Sequence, residues 1–284
     1  MGVSRLLRSV GLKKAKKKKE NKSKDCSKEE CIREAVGYAE EIFSHYERLF
    51  RERGIAMQGC QYLEIGPGRN FGSQLLMAEL GASVTVADRF LAQWDPEFHP
   101  AFYRTLLARV GRSPAIERVI EQSGYDGVIN LVSAPAEDLK GLPDRTFDIV
   151  MSNAVLEHVY DLGAAARELR RVSKPGAVHA HQVDFRDHRD FSRPLEWLLL
   201  SRRQFRRRAV KRNFESGCQT RPSELVSTFQ DAGYTLDDTV PSHYADEKYL
   251  DEFMPRLRRA WFSPYRKWNR DDLRVVSGCY WLTT

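Results

Sequence analysis

Leu63-Glu64-Ile65-Gly66-Pro67-Gly68 is the stretch that decides how this chain is read. Cys60 to Ile65 is a short apolar run of strand character, and it stops in a turn with two glycines. Ser73 to Leu80 then has helical spacing, so the unit is strand, tight turn, helix. Outward from it, the chain repeats that alternation. Ser83–Ala87 reads as a second strand ending at Asp88, residues 91–123 as largely helical with a break near Gly111–Pro114, and Val128–Ser133 as a third strand. Thr146–Ser152 is a fourth, 161–172 a helix, Ala177–Val183 a fifth strand after Lys174-Pro175-Gly176, and Leu273–Leu282 a closing strand. Pro222–Ala232 and residues 244–262 add helices. Upstream, Ser27 and Glu30 form a capping box for a helix with apolar residues from Ile32 to Phe50 and a stop at Gly54. Strands alternating with helices predict an α/β fold: a doubly wound, mostly parallel sheet with helices on both faces, an N-terminal helix and a cap insertion.

In such sheets a ligand sits beyond the carboxyl ends of the strands. The turn here is Gly66-x-Gly68-x-x-x-Gly72, one residue away from the spacing that packs a dinucleotide pyrophosphate. Glu64 would repel a pyrophosphate and attract a cation. Asp88, about 20 residues on, suits the two hydroxyls of a ribose. A ligand with a ribose and a positively charged aminoacyl end satisfies all three features, and S-adenosylmethionine is one. A nicotinamide oxidoreductase is disfavoured by the same glycine spacing and by Glu64.

The motifs resemble those of class I S-adenosylmethionine-dependent methyltransferases, the type 11 group in particular. Leu63–Gly68 resembles their first motif, Asp88 the acid that ends their second strand, and Ala136-Glu137-Asp138-Leu139 with Pro143 their adenine-side segment. Phe147–Val159, containing Asn153-Ala154-Val155-Leu156-Glu157-His158, is similar to their fourth-strand motif, and Leu169–Ala177 to the helix and turn before the fifth strand. The resemblance covers roughly residues 58–184 strongly and the C-terminal strands weakly, and it implies a doubly wound, mostly parallel seven-stranded sheet of Rossmann-like type. It implies cofactor contacts at Glu64, Gly66, Pro67, Gly68, Asn70, Asp88, Arg89, Ala136, Glu137, Asn153 and Ala154. One position departs from the pattern. Where many members carry an acid for the adenine amine, this chain has Pro135, which leaves the adenine to backbone groups around Ala136 and Glu137.

Chemistry toward an acceptor is sought after the fifth strand, in Asp184-Phe185-Arg186-Asp187-His188. Asp184, Asp187, His188 and, beside the donor, His158 are the candidate catalytic residues, with His188 a possible general base oriented by Asp184 or Asp187. A His/Asp cluster here can also bind a divalent metal that polarises the acceptor hydroxyl, but no defined ligand spacing supports one and no metal is assigned. Residues 185–221 are long for a connection, rich in arginine (Arg202, Arg203, Arg206, Arg207, Arg208, Arg212) and carry Trp197 to Leu200 and Phe205. They are expected to cap the acceptor, which the arginines suggest is anionic: a sugar, glycan or phosphorylated small molecule.

The charge is unevenly spread. The 284 residues hold 46 Lys/Arg and 39 Asp/Glu, a net +7, but residues 1–24 alone hold ten basic residues and one acid, leaving the rest at −2. Residues 1–26 are therefore expected to be a disordered basic tail ahead of a 27–284 domain, with weak attraction to anionic lipid or nucleic acid. No apolar run suits a membrane span or a secretory signal, and Leu6 breaks the myristoylation pattern after Gly2. Five scattered cysteines suit reduced thiols and a cytoplasmic location. The expected function is methyl transfer to a small or glycan-like acceptor, at oxygen. An RNA methyltransferase using the tail and the arginines, and a non-catalytic binding protein on the same fold, are the alternatives.

Overall fold

The computed structural model describes residues 27–284. The basic tail expected over 1–26 lies outside the described residues. Seven strands form one sheet in the order β3-β2-β1-β4-β5-β7-β6. They are β1 (Gln61–Ile65), β2 (Ser83–Asp88), β3 (Ile129–Ser133), β4 (Phe147–Asn153), β5 (Ser173–Asp184), β6 (Thr235–Tyr244) and β7 (Val275–Thr283). β1 pairs parallel with β4 and β4 with β5, while β7 runs antiparallel between β5 and β6. The order turns back between β1 and β4, which is the switch point where ligands collect in open α/β sheets. The predicted α/β class and seven-stranded, mostly parallel sheet hold.

The chain divides into two compact units. The first comprises the described part of Met1–Cys60 with Gly68–Thr85 and Ala92–Leu131, and the second Gln61–Pro67, Val86–Leu91 and Val132–Thr284. In the first unit, α1 (Lys28–Glu52) starts where the Ser27 hydroxyl accepts the Glu30 amide at 3.2 Å. It buries Ile32, Val36, Ala39, Tyr46 and Phe50, a stripe at helical spacing. That stripe meets α2 (Gly72–Glu79), whose Gly72 has no room for a side chain: a Cβ would stand 2.9 Å from Ala39 Cβ and from Phe102. Residues 91–123 carry two helices with the expected break between them, and the first starts later than the sequence suggests. The helices are α3 (His99–Val110) and α4 (Pro114–Gln122), and residues 91–98 form a loop. Trp94 in that loop stacks on Tyr103 at 6.0 Å, and the Tyr103 and Tyr125 hydroxyls meet at 2.9 Å. Tyr103 also accepts the Phe71 amide, and burial keeps its phenol protonated far above the ordinary range.

In the second unit, Leu63, Ile65, Val150, Val183 and Leu282 from the sheet pack with Ala165, Ala166, Leu169 and Val172 of α5 (Leu162–Val172) and with Leu225 and Phe229 of α7 (Pro222–Asp231). β5 begins four residues earlier than its sequence suggests. Ser173–Gly176 joins the strand because Phe147 and Thr284 offer pairing partners there. β6 has no clear alternation, since Asp237, Asp238 and Pro241 interrupt it, and register shifts against β7 accommodate them.

Residues 185–221 are more regular than their polarity suggests. They hold a 3₁₀ turn (Glu196–Leu199) and α6 (Arg202–Val210), which opens on a Ser201–Gln204 capping box. Phe205 and Ala209, one turn apart, face a small core of Trp197 and Phe214, while the arginines of α6 face water. Arg189 lies over the Trp197 ring at 3.5 Å, and the Trp197 indole N–H donates to the Ser216 carbonyl at 2.8 Å. A second satellite core joins Leu195 and Leu198 to Leu250, Phe253 and Leu257 of α8 (Glu247–Arg259) and to Leu273 of α9 (Arg270–Arg274).

Candidate functional site

The carboxyl ends of β1, β2, β4 and β5 carry most of the residues singled out in the sequence. On β1, Glu64 is 3% exposed, so it is no surface residue, and it accepts the Tyr62 hydroxyl at 3.0 Å. The two share a face because they are two apart on a strand. Gly66 follows with φ +68, and a Cβ on it would lie 2.3 Å from Val155 Cγ2. The turn therefore tolerates only glycine, for backbone angle and for space alike. The Gly66 amide still donates to the Ala87 carbonyl at 2.9 Å, so the pairing with β2 persists one residue past the strand, and Pro67 is half-buried. In the first unit, Gly68 is also left-handed, at φ +84, with open space where a Cβ would stand. Asn70 there turns its side-chain oxygen onto the Gly72 amide at 3.3 Å, at the start of α2.

At the end of β2, Asp88 Oδ1 accepts the Phe90 amide at 2.7 Å, a turn that fixes the carboxylate's direction. Arg89 donates to both oxygens of Glu137 at 3.1 Å and lies 3.7 Å over the Tyr160 ring. Glu137 in turn accepts the Tyr160 amide at 2.6 Å. Arg89 and Glu137 thus tie the exit of β2 to the segment after β4. Ala136 is buried in the main core. Asn153 ends β4 opposite Gln182, and Ala154 follows in the left-handed region at φ +57, its amide held by the Gln182 carbonyl at 2.9 Å. An alanine there costs about 1 kcal/mol, a strain typical of functional turns.

The acceptor-side candidates gather beyond β4 and β5. His158 closes a 3₁₀ turn (Leu156–His158) and its Nδ1 lies 2.8 Å from the Phe214 carbonyl. His188 meets it edge to face, with ring centroids 5.1 Å apart, and its Nε2 is 3.7 Å from Asp184 Oδ2. Asp184 is already engaged: Arg186 donates to it from Nε at 2.7 Å and from a terminal nitrogen at 2.6 Å. Burial would raise the Asp184 carboxyl, but the Arg186 ion pair outweighs it and holds the group below the ordinary range. Asp187 is paired the same way with Arg189. The structure thus brings His158, His188 and Asp184 together, with Asp184 rather than Asp187 beside His188.

Sequence reasoning passed over Glu157, which is fully buried next to this group. Its neighbour His188 is 31 positions away, and no spacing announces such a pair. Arg186 and Arg189 were more accessible, because Asp184-x-Arg186 and Asp187-x-Arg189 repeat one pattern in a stretch leaving an apolar strand. Cys218, also near Glu157, is inert: burial first, and that carboxylate second, push its thiol up to about 12. Between the 3₁₀ turn and α6 lies a cavity of about 260 Å³, lined by Leu156, Tyr160, Phe214 and Gln219 with Arg202 and Arg206.

A family profile for a methyltransferase domain, type 11, matches residues 107–180. A curated relative, the ubiquinone biosynthesis O-methyltransferase of Cereibacter sphaeroides (strain ATCC 17025 / ATH 2.4.3), is 29% identical over 163 residues, 56% of this chain and 56% of that protein's length. The chain thus matches little more than half of that relative. Among solved structures, a candidate sarcosine dimethylglycine methyltransferase of Galdieria sulphuraria superposes with a TM-score of 0.50 at 15% identity, over 88% of this chain and 87% of that one. An S-adenosylmethionine-dependent methyltransferase of Mesorhizobium loti gives 0.48 at 14% identity, over 81% and 93%. Sheet topology and the profile match point the same way: residues 107–180 are similar to a type 11 methyltransferase domain, and the seven-stranded fold is similar to that of the Galdieria sulphuraria structure.

Proposed function

We propose that this protein transfers a methyl group from S-adenosylmethionine to an oxygen of a small, anionic acceptor. The observation that carries the cofactor half is the left-handed, side-chain-free turn at Gly66, flanked by the buried Glu64 and the oriented Asp88. These residues fit the group. Within the second unit, Asp88 would accept from the ribose hydroxyls, the backbone at Ala136 and Glu137 would meet the adenine, and Glu64, Gly66, Pro67, Asn153 and Ala154 would hold the methionyl end. Arg89 acts by fixing Glu137 and Tyr160. When bound, the cofactor supplies an electrophilic methyl on a sulfonium, with a neutral thioether as leaving group. A buried carboxylate at Glu64 favours the cationic end of that molecule and disfavours a dinucleotide phosphate.

The acceptor half is supported by the cavity against α6. Leu156 and Phe214 give it an apolar side, and Arg206 places positive charge at its rim beside Arg202, which is paired with Glu224; that charge suits a phosphate or carboxylate on the acceptor. Tyr160 and Phe214, whose rings lie 4.6 Å apart, offer a flat face for a ring or sugar. The proton released from an acceptor hydroxyl would pass to the His158–His188 group, with Asp184 stabilising positive charge on His188. Residues 185–221 would thereby act as the acceptor cap.

Oxygen is favoured over carbon or nitrogen because an imidazole pair backed by a carboxylate is suited to taking a hydroxyl proton. Incubating the protein with methyl-labelled cofactor and a panel of phosphorylated and carboxylated phenols and sugars tests the reading. Labelled methyl ethers, slowed far more by His188→Ala than cofactor binding is, are the expected result. Label on RNA alone, retained without residues 1–24, would replace it with the nucleic-acid reading.

A further inference from the structure

We propose that Glu157, His158 and His188 form a binding site for one divalent transition-metal ion. One side-chain donor atom from each lies within 4.8 Å of the other two. Two imidazole nitrogens and one carboxylate oxygen form a donor set for ions such as zinc, cobalt(II), iron(II) or manganese, whereas calcium and magnesium prefer oxygen alone.

The His158 tautomer suits ligation. A carbonyl only accepts, so the 2.8 Å contact between Phe214 and His158 Nδ1 requires the hydrogen on Nδ1 and puts the lone pair on Nε2. A backbone carbonyl behind a histidine is an outer-shell partner that metal-binding histidines have. On His188, Nε2 lies 3.7 Å from Asp184 Oδ2, close enough for that carboxylate to favour positive charge at the site. Asp184 cannot swing into the ligand position itself, because Arg186 grips both of its oxygens.

The support is rigid. The 3₁₀ turn carrying Glu157 and His158 leaves β4, and Asp184 ends the adjacent β5. The Glu157 side chain is fully buried, and the His188 side chain is 5% exposed. A bound cation would offset the cost of burying the Glu157 carboxylate beside the two imidazoles. Three protein ligands leave a coordination position open, as in catalytic sites. For its role, though not for its existence, the site rests on the methyl-transfer reading: with the ion bound, the two imidazoles serve as ligands in place of proton acceptors, and an acceptor hydroxyl at the open position would become more acidic and release its proton to water.

The test uses untagged full-length protein, stripped with a chelator and titrated with zinc and cobalt(II) chlorides by calorimetry. One ion per chain is expected, with visible ligand-field bands for cobalt. Glu157→Gln and His188→Asn should each weaken zinc binding at least a hundredfold. Hydrogen exchange on the unmodified protein covers variants that fail to fold: zinc should protect the peptides spanning 155–160 and 186–190. Absence of stoichiometric binding, unchanged affinity in both variants, or protection confined to other segments would overturn the proposal. Protein that binds cofactor normally but no metal would overturn this inference alone and leave the methyl-transfer reading standing.

Discussion

Mild acid should destabilise this protein, and two buried histidines set the size of the effect. His179 and His181 are both 0% exposed on β5. Their bonding fixes every proton. The Ser173 hydroxyl donates to the Leu169 carbonyl at 2.6 Å, so its oxygen accepts from His179 Nε2 at 2.9 Å. His179 Nδ1 then accepts from His181 Nε2 at 3.2 Å, and His181 Nδ1 accepts from the Ser152 hydroxyl at 2.8 Å. Every nitrogen is satisfied with both rings neutral, and a further proton has no acceptor. Burial drives His179 well below the ordinary range, with His181 adding to it, and lowers His181 to about 3. A histidine with a depressed folded pKa stabilises above its unfolded pKa of about 6.5, and that stability is lost as pH falls toward the folded value. From pH 7.5 to 5 each ring should cost about 2 kcal/mol, so the pair costs about 4 kcal/mol out of a typical 5–15. His45, lowered by burial and by Arg48, works in the same direction. The depressed carboxylates Asp148, Glu168, Asp184 and Glu196 lose their contribution only below about pH 4, so they leave this window clear. Urea unfolding followed by circular dichroism at pH 7.5, 6.5, 5.5 and 5.0 measures the slope. The His179→Leu/His181→Leu double variant should flatten most of it. A flat profile in the unmodified protein, or an equal slope in the double variant, would refute the neutral-pair account.

Three substitutions examine the local physics of the same region. Gly66→Ala forces a Cβ to within 2.3 Å of Val155 in a left-handed turn, and it should lower stability by about 3 kcal/mol or abolish cofactor binding; wild-type behaviour in melting and binding would dismiss the turn as a constraint. Ala154→Gly should do the opposite, relieving φ +57 and stabilising by about 0.5–1 kcal/mol in urea unfolding; a clear loss of stability would mean that the strain is absent. Arg221 is fully buried and donates to the carbonyls of Phe185, Leu273 and Val275. Arg221→Met should therefore cost about 3 kcal/mol or more, and a neutral effect by thermal melting would show that water replaces those bonds.

The parts legible in the sequence are those whose signal is local. Glu64, Gly66 and Asp88 could be placed because a strand, a tight turn and the next strand follow one another within about 25 residues, and each position carries its own chemical requirement. β6 was not legible because its pairing with β7 supplies what Asp237, Asp238 and Pro241 take away from its alternation. The insert looked irregular because arginines dominate it, yet Phe205 and Ala209 one turn apart suffice to seat α6 on Trp197 and Phe214. Asp184 and Asp187 looked like free acids, since carboxylates near a histidine suggest a base; the arginine two residues after each engages them instead. Glu157 was beyond reach, because what makes it notable is burial beside a histidine 31 positions later.

The central claim is that the carboxylates at the ends of β1 and β2 hold S-adenosylmethionine, and calorimetric titration of the full-length protein and of Asp88→Ala with that molecule tests it most directly. Loss of two hydroxyl hydrogen bonds to a charged group should weaken binding by roughly ten- to a hundredfold while the melting temperature of the free protein stays within about two degrees. No heat of binding for the unmodified protein, or equal affinity for the two proteins, would contradict the account.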